Sequence, residues 1–167
     1  LQLLGTGVTD WGVRYRIKEM KQLRVLSLTG CRITDESLAH LADLPLQTLN
    51  LGDTPITGVG FRHFAPATHA HESLQVLGLS GCSHLTNEGL LLLSRISSIR
   101  DLDLRKCLLL TEAGTEGLRD LTNLTHLNLS GCFYLTDECV APLRNLPLSR
   151  LSLCDLSLSD VSLFYLR

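Results

Sequence analysis

Positive charge is not in surplus in this chain. Fifteen lysines and arginines stand against 17 aspartates and glutamates, a net charge of −2. With a pI of about 6.3, the sequence carries no basic footprint for nucleic acid. Mean hydropathy is +0.18, yet no apolar run approaches the ~20 residues of a membrane-spanning helix. No charged segment followed by an apolar one opens the chain, so no secretory signal is expected in these residues. Cys-x-x-Cys is absent, which removes the spacing of a zinc ribbon or a redox dithiol. Gly5-Thr6-Gly7 lacks the Lys-Ser/Thr ending of a phosphate loop.

What the chain does have is one line of residues written seven times. Around residue 127 it reads Leu124-Thr125-His126-Leu127-Asn128-Leu129-Ser130-Gly131-Cys132, then Leu135-Thr136-Asp137-Glu138. The second Leu of Leu-x-x-Leu-x-Leu falls at Leu1, Leu26, Leu49, Leu77, Leu102, Leu127 and Leu151, in steps of 25, 23, 28, 25, 25 and 24. The long step holds an insertion, residues 65–73, expected to form a loop.

Each repeat has two halves. The first alternates apolar and polar residues, as in Leu26-Ser27-Leu28-Thr29, and predicts a short strand. The second opens on Thr or Ser, usually followed by a polar or acidic residue: Thr9-Asp10, Thr34-Asp35, Thr57-Gly58, Thr86-Asn87, Thr111-Glu112, Thr136-Asp137 and Ser159-Asp160. A hydroxyl caps a helix start, and a carboxylate beside it suits the positive end of the dipole. Apolar residues at +4, +7 and often +10, such as Leu38, Leu41 and Leu44, predict the buried stripe of a short helix. One turn of this kind buries too little apolar surface to offset the entropy of ordering it, so adjacent turns must stack. The terminal repeats show no polar cap, and a longer solenoid is expected on both sides.

A period of 20–29 residues carrying Leu-x-x-Leu-x-Leu is the mark of a leucine-rich repeat. The fuller pattern, with Cys and then Leu-Thr-Asp, resembles the cysteine-containing subfamily, best known from F-box/leucine-rich-repeat proteins. It is strong over residues 23–44 and 74–146, and weaker over residues 1–20 and where Thr54 and Leu156 replace the Cys. The resemblance implies an open right-handed ribonuclease-inhibitor-like α/β solenoid of about seven repeats, parallel strands on the concave face and short helices on the convex face. It implies a non-enzymatic protein–protein interaction module. The leading function is substrate recognition in an F-box-type ubiquitin ligase, with a cullin-ligase adaptor held by segments outside this chain. The alternative is a structural scaffold subunit of a cytoskeletal or axonemal assembly.

The outward neighbours of the strand leucines form six rows. Those around Leu26, Leu49 and Leu77 are small and uncharged. Those around Leu102, Leu127 and Leu151 hold Asp101, Asp103 and Arg105, then His126 and Asn128, then Arg150. This half is the expected partner surface; a solvated face with cross-strand ion pairs is the other reading. Leu108-Leu109 and Phe133-Tyr134 occupy one slot after the Cys column in successive repeats. They form a second candidate surface, unless one residue of each pair packs inward.

Cys31, Cys82, Cys107 and Cys132 share one repeat position and are expected to be buried, inert thiols in a reducing compartment, cytosol or nucleus. Cys154, on the concave face, and Cys139, in a helix, are the two thiols that could react. His63, His69 and His71 gather at the insertion, where His-x-His could ligate a metal, but their loop setting matches no established spacing. No metal, cofactor, membrane or nucleic acid is expected.

Overall fold

The computed structural model describes residues 1–166. Six strands form one parallel sheet in chain order: β1 (Val25–Ser27), β2 (Thr48–Asn50), β3 (Val76–Gly78), β4 (Asp101–Asp103), β5 (His126–Asn128) and β6 (Arg150–Ser152). The register follows the repeat: Leu26, Leu49, Leu77, Leu102, Leu127 and Leu151 are paired in sequence from strand to strand. The first repeat joins through a bridge between Gln2 and Ser27. The fold is therefore an open leucine-rich-repeat solenoid. Among the described residues, no helix is long and apolar enough to cross a membrane.

The helical half is less uniform than the sequence pattern. Helices form as α1 (Asp10–Tyr15), α2 (Asp35–Leu41), α4 (Asn87–Leu93), α5 (Glu112–Thr115) and α6 (Val161–Tyr165). In four repeats the polypeptide tightens into 3-10 turns, at Ile17–Glu19, Val59–His63, Glu116–Asp120 and Asp137–Leu143. Pro142 inside the last of these has no N–H to donate. The insertion is not a plain loop. It closes into a helical turn, α3 (His69–Ser73), with Ala70 buried and its N–H bonded to the Ala42 carbonyl at 3.0 Å.

A column of small residues explains how the helical segments approach. Ser37, Gly60, Gly89 and Gly114 each follow the repeat threonine by three positions and are buried. A Cβ on Gly60 would meet the Asp35 carbonyl at 2.6 Å and the Leu38 side chain at 2.9 Å. A second column lies four residues after the strand leucine and adopts positive φ throughout. Gly30, Gly81 and Gly131 take it freely, whereas Asp53, Lys106 and Asp155 take it at φ 54, 56 and 58°.

The acidic residue after each repeat threonine reaches sideways to the next repeat. Asp10 accepts from the Thr34 N–H (2.9 Å), the Thr34 hydroxyl (3.0 Å) and the Ser37 hydroxyl. Asp35 accepts four bonds, from the Thr57 N–H and hydroxyl (both 2.8 Å) and the Gly58 and Gly60 N–H groups (both 2.9 Å). Glu112 and Asp137 hold Thr136 and Ser159 in the same way, while Asn87 accepts from the Thr111 N–H through Oδ1 and donates from Nδ2 to the Thr111 hydroxyl. Gly58 has no side chain to do this, and there the Thr86 N–H and hydroxyl donate to the Thr57 carbonyl instead. The expected helix cap survives at Thr34 and Thr86, which accept from Glu36 and Gly89 N–H groups, but not at Thr9, Thr111 or Thr136.

These bonds set how stability depends on acid. For Asp10 and Glu112, burial is the largest single influence and pushes the carboxyl upward. The hydrogen bonds from Ser37 and Thr34, and from the Glu112 backbone and Thr136, together outweigh it and hold both below the ordinary value. Asp137 is lowered by the Ser159 hydroxyl and N–H. A carboxyl depressed in the folded state gives stability that is present above the unfolded range, about pH 4, and lost as pH falls through the folded values. Urea midpoints measured from about pH 7 to about pH 3 should fall steeply below pH ~4, and less steeply in an Asp10→Ala/Asp137→Ala variant. At neutral pH, Asp35→Ala should lower stability by about 2–3 kcal/mol, because it orphans part-buried donors, while exposed Glu88→Ala stays within ~0.5 kcal/mol.

Candidate functional site

The concave face divides as the sequence rows predict, with a physical reason for each half. In the first half the row side chains are small, and with Asp53, Asp103 and Arg105 they border a hollow of about 270 Å³. Ser27 is buried with its hydroxyl 3.3 Å from that of Thr29. Gly52 is enclosed between the Thr29 methyl and the Ser80 carbonyl, and the Asn50 side chain lies over Gly78. These positions do not face outward as freely as strand alternation predicts, because small side chains let neighbouring rows close over them.

In the second half the predicted residues come together. Asp101 pairs with His126 and His126 with Arg150 across β4, β5 and β6; Asp103 lies beside Asn128, and Asn128 beside Ser152. These residues, apart from Arg105, border one shallow hollow of about 130 Å³. That is well below the ~300 Å³ at which pockets enclose small ligands, so the geometry suits the side chains of a macromolecule better than a bound substrate.

Asp103 and Arg105 form the strongest polar contact here. Arg105 Nε lies 3.0 Å from both carboxylate oxygens and Nη2 lies 2.6 Å from Oδ2. This pair lies within one repeat and does not cross strands. The hydrogen bond to Asp103 and then its charge raise the Arg105 pKa, keeping the guanidinium protonated. Because the pair is exposed, it contributes only ~0–1 kcal/mol to stability. Asn128 Oδ1 accepts from the Ser130 N–H at 3.0 Å, and His126 Nδ1 lies 2.9 Å from the Thr125 hydroxyl. Asp101 and Arg150 have no ion-pair partner among the described residues. The face therefore offers one carboxylate and one guanidinium not already neutralised.

Neither residue of either rim pair packs inward. Leu108 and Leu109 are 38% and 49% exposed, and Phe133 and Tyr134 are 62% and 66% exposed. They stand in the turns after the buried Cys107 and Cys132, at the carboxyl ends of β4 and β5.

The four column cysteines are buried as expected, and each thiol donates to a carbonyl of the preceding repeat. Cys31 reaches Leu3 at 3.0 Å, Cys82 Leu51 at 3.1 Å, Cys107 Leu79 at 3.2 Å and Cys132 Leu104 at 3.1 Å. Thr54, standing in for Cys, donates to its own repeat's Leu51 carbonyl at 2.6 Å. Cys139 departs from the expectation that it could react: it is fully buried in the 3-10 turn. Burial pushes its thiol up to about 12, and that of Cys132 to about 11. Cys154 is exposed. His63, His69 and His71 are not gathered around a common point: His71 Nε2 lies 3.1 Å from the Arg95 carbonyl. No group of three or more His, Cys, Asp or Glu side chains among the described residues could hold a metal. An Ellman titration of native protein should report one fast thiol of the six, lost in Cys154→Ser, with the others reacting only on unfolding.

A family model described as Leucine Rich repeat matches residues 21–42 and 120–143. Internalin C2 from Listeria monocytogenes is similar over 99% of this chain and 66% of its own, with a TM-score of 0.73 and 26% identity. A chain of the Rad7–Elc1 complex from yeast is similar over 92% of this chain and 41% of its own, with a TM-score of 0.72 and 21% identity. An internalin, InlF, also from Listeria monocytogenes, has a TM-score of 0.50 and 20% identity over 90% of this chain and 47% of its own. The chain thus spans less than two thirds of each of these three structures. The leucine-rich-repeat fold supports a protein–protein interaction module.

Proposed function

We propose that this chain is a non-enzymatic recognition module that holds a partner protein on the concave face of β4–β6 and on the adjoining rim. The observation that carries this reading is that Asp101 and Arg150, neither in an ion pair among the described residues, border one shallow hollow over β4–β6. A partner segment would lie across the strand rows, pairing with Asp101, Asp103, Arg105, His126, Asn128 and Arg150. Its apolar side chains would cover Leu108, Leu109, Phe133 and Tyr134. Aromatic and arginine side chains are the usual anchors of such contacts.

The cysteine-containing repeat pattern makes the substrate-binding part of an F-box-type ubiquitin ligase the first assignment, with a cullin-ligase adaptor engaged by segments outside this chain. One chain of the yeast Rad7–Elc1 complex has the same fold, which supports assembly as the mode of action, although that likeness is one of fold. Buried thiols bonded to carbonyls suit a reducing compartment, cytosol or nucleus.

Full-length protein purified under mild conditions should carry a cullin and its adaptor. In the same preparation, Asp101→Ala/Arg150→Ala and Leu108→Ser/Tyr134→Ala should each weaken capture of the recognised partner by about tenfold or more, with the thermal midpoint little changed. Filament proteins without any ligase subunit would overturn the ligase assignment. Capture unaffected by both variants would overturn the surface itself.

A further inference from the structure

The insertion builds a second hollow on a different part of the molecule. Residues 65–73 are clamped on both sides. The Ser73 hydroxyl donates to the Leu46 carbonyl at 2.7 Å and Ala70 N–H to Ala42, in the repeat before. In the repeat after, the Ser98 hydroxyl donates to the His71 carbonyl at 2.7 Å. Thr68 turns the segment by donating its N–H and hydroxyl to the Ala65 carbonyl at 2.8 and 2.9 Å. The shape is thus formed in advance, which lowers the ordering cost of any ligand that fits it.

Between this clamp and the following repeat lies a hollow of about 280 Å³. Its apolar lining includes Phe64, Pro66 and Leu92, with Phe64 set edge-on to buried Phe61 at 5.4 Å. Arg62, Arg95 and His71 complete the margin, and no carboxylate borders it. Neither arginine has an ion-pair partner among the described residues. Arg62 Nε donates to the Val59 carbonyl at 2.7 Å, which orients its guanidinium. Two free guanidinium groups around an apolar floor run against the net negative charge of the chain. The hollow shares Pro66 and His71 with a larger one of about 470 Å³, bordered by one carboxylate, Glu72, and one further guanidinium, Arg100, that continues to Asn123. A groove extended in this way fits a peptide better than a compact small molecule.

We propose that this groove binds a short acidic peptide segment that places one aromatic or aliphatic side chain against Phe64, Pro66 and Leu92 while its carboxylates pair with Arg62 and Arg95. Guanidinium groups recognise carboxylates through paired N–H donors, and they reject a basic segment by like charge. The site is separate from the concave surface and does not depend on it.

Fluorescence anisotropy on the whole chain tests this, with fluorescein-labelled octapeptides carrying one Phe or Leu among Asp and Glu. Counterparts with Lys in place of the acids, or with Ser in place of the apolar residue, serve as comparisons. The acidic peptides should bind saturably. Arg62→Glu/Arg95→Glu should weaken them by about tenfold or more, whereas Arg32→Glu on the first repeats should not. Ala65→Trp, which fills the hollow without removing charge, should abolish binding too. The proposal is overturned if the lysine or serine counterparts bind equally well, if none of the acidic peptides binds, or if binding survives both Arg62→Glu/Arg95→Glu and Ala65→Trp.

Discussion

The structure depends on one constraint: each turn must meet the next in register, because no single turn buries enough to stand alone. Three columns of contacts enforce that register at different places on the cross-section. Strand leucines stack through the core, from Leu26 to Leu127. Thiols of Cys31, Cys82, Cys107 and Cys132 bond backward to the carbonyls of Leu3, Leu51, Leu79 and Leu104, just past the strand positions of the preceding repeats. Carboxylates and one amide bond forward to the threonine or serine of the following turn. A slip of one residue would break all three at once.

Within that constraint, few positions are free to vary, and the functional features fall on them. Outward strand positions carry the change from Gly52 and Gly78 to Asp103, Asn128 and Arg150. The slots after the cysteine column pass from Ser83 and His84 to exposed Leu108, Leu109, Phe133 and Tyr134. The insertion adds length where the chain returns from helix to strand and leaves the leucine register intact. The proposed recognition surfaces are thus laid over a frame whose energetics they hardly touch.

Much of this was legible in the sequence because the period is short and leucine marks each turn. Strand positions and pairings follow directly from the leucine count, and the charged half of the concave face from strand alternation. What was not legible concerns contacts between turns. Thr-Asp reads equally as a helix start, and nothing within one repeat says that Asp35 serves Thr57. The small-residue column at Ser37, Gly60 and Gly89 carries a signal in its regular spacing, but its meaning, close approach of helical segments, needs the third dimension. Cys139 reads in the sequence as a thiol that could react, but it follows Thr136 by three positions and so falls in the same buried column as Ser37, Gly60 and Gly89. The groove beside His71 was invisible because a loop and a clamped helical turn share the same composition.

The central claim is that a partner lies along the concave side of the last three strands. Hydrogen–deuterium exchange on the complex isolated from cells, set against the free protein, tests it most directly. Added protection is expected in peptides covering His126–Asn128 and the Phe133-Tyr134 turn, with residues 35–41 unchanged. Protection confined to the helical side, with those peptides exchanging as in the free protein, would contradict it.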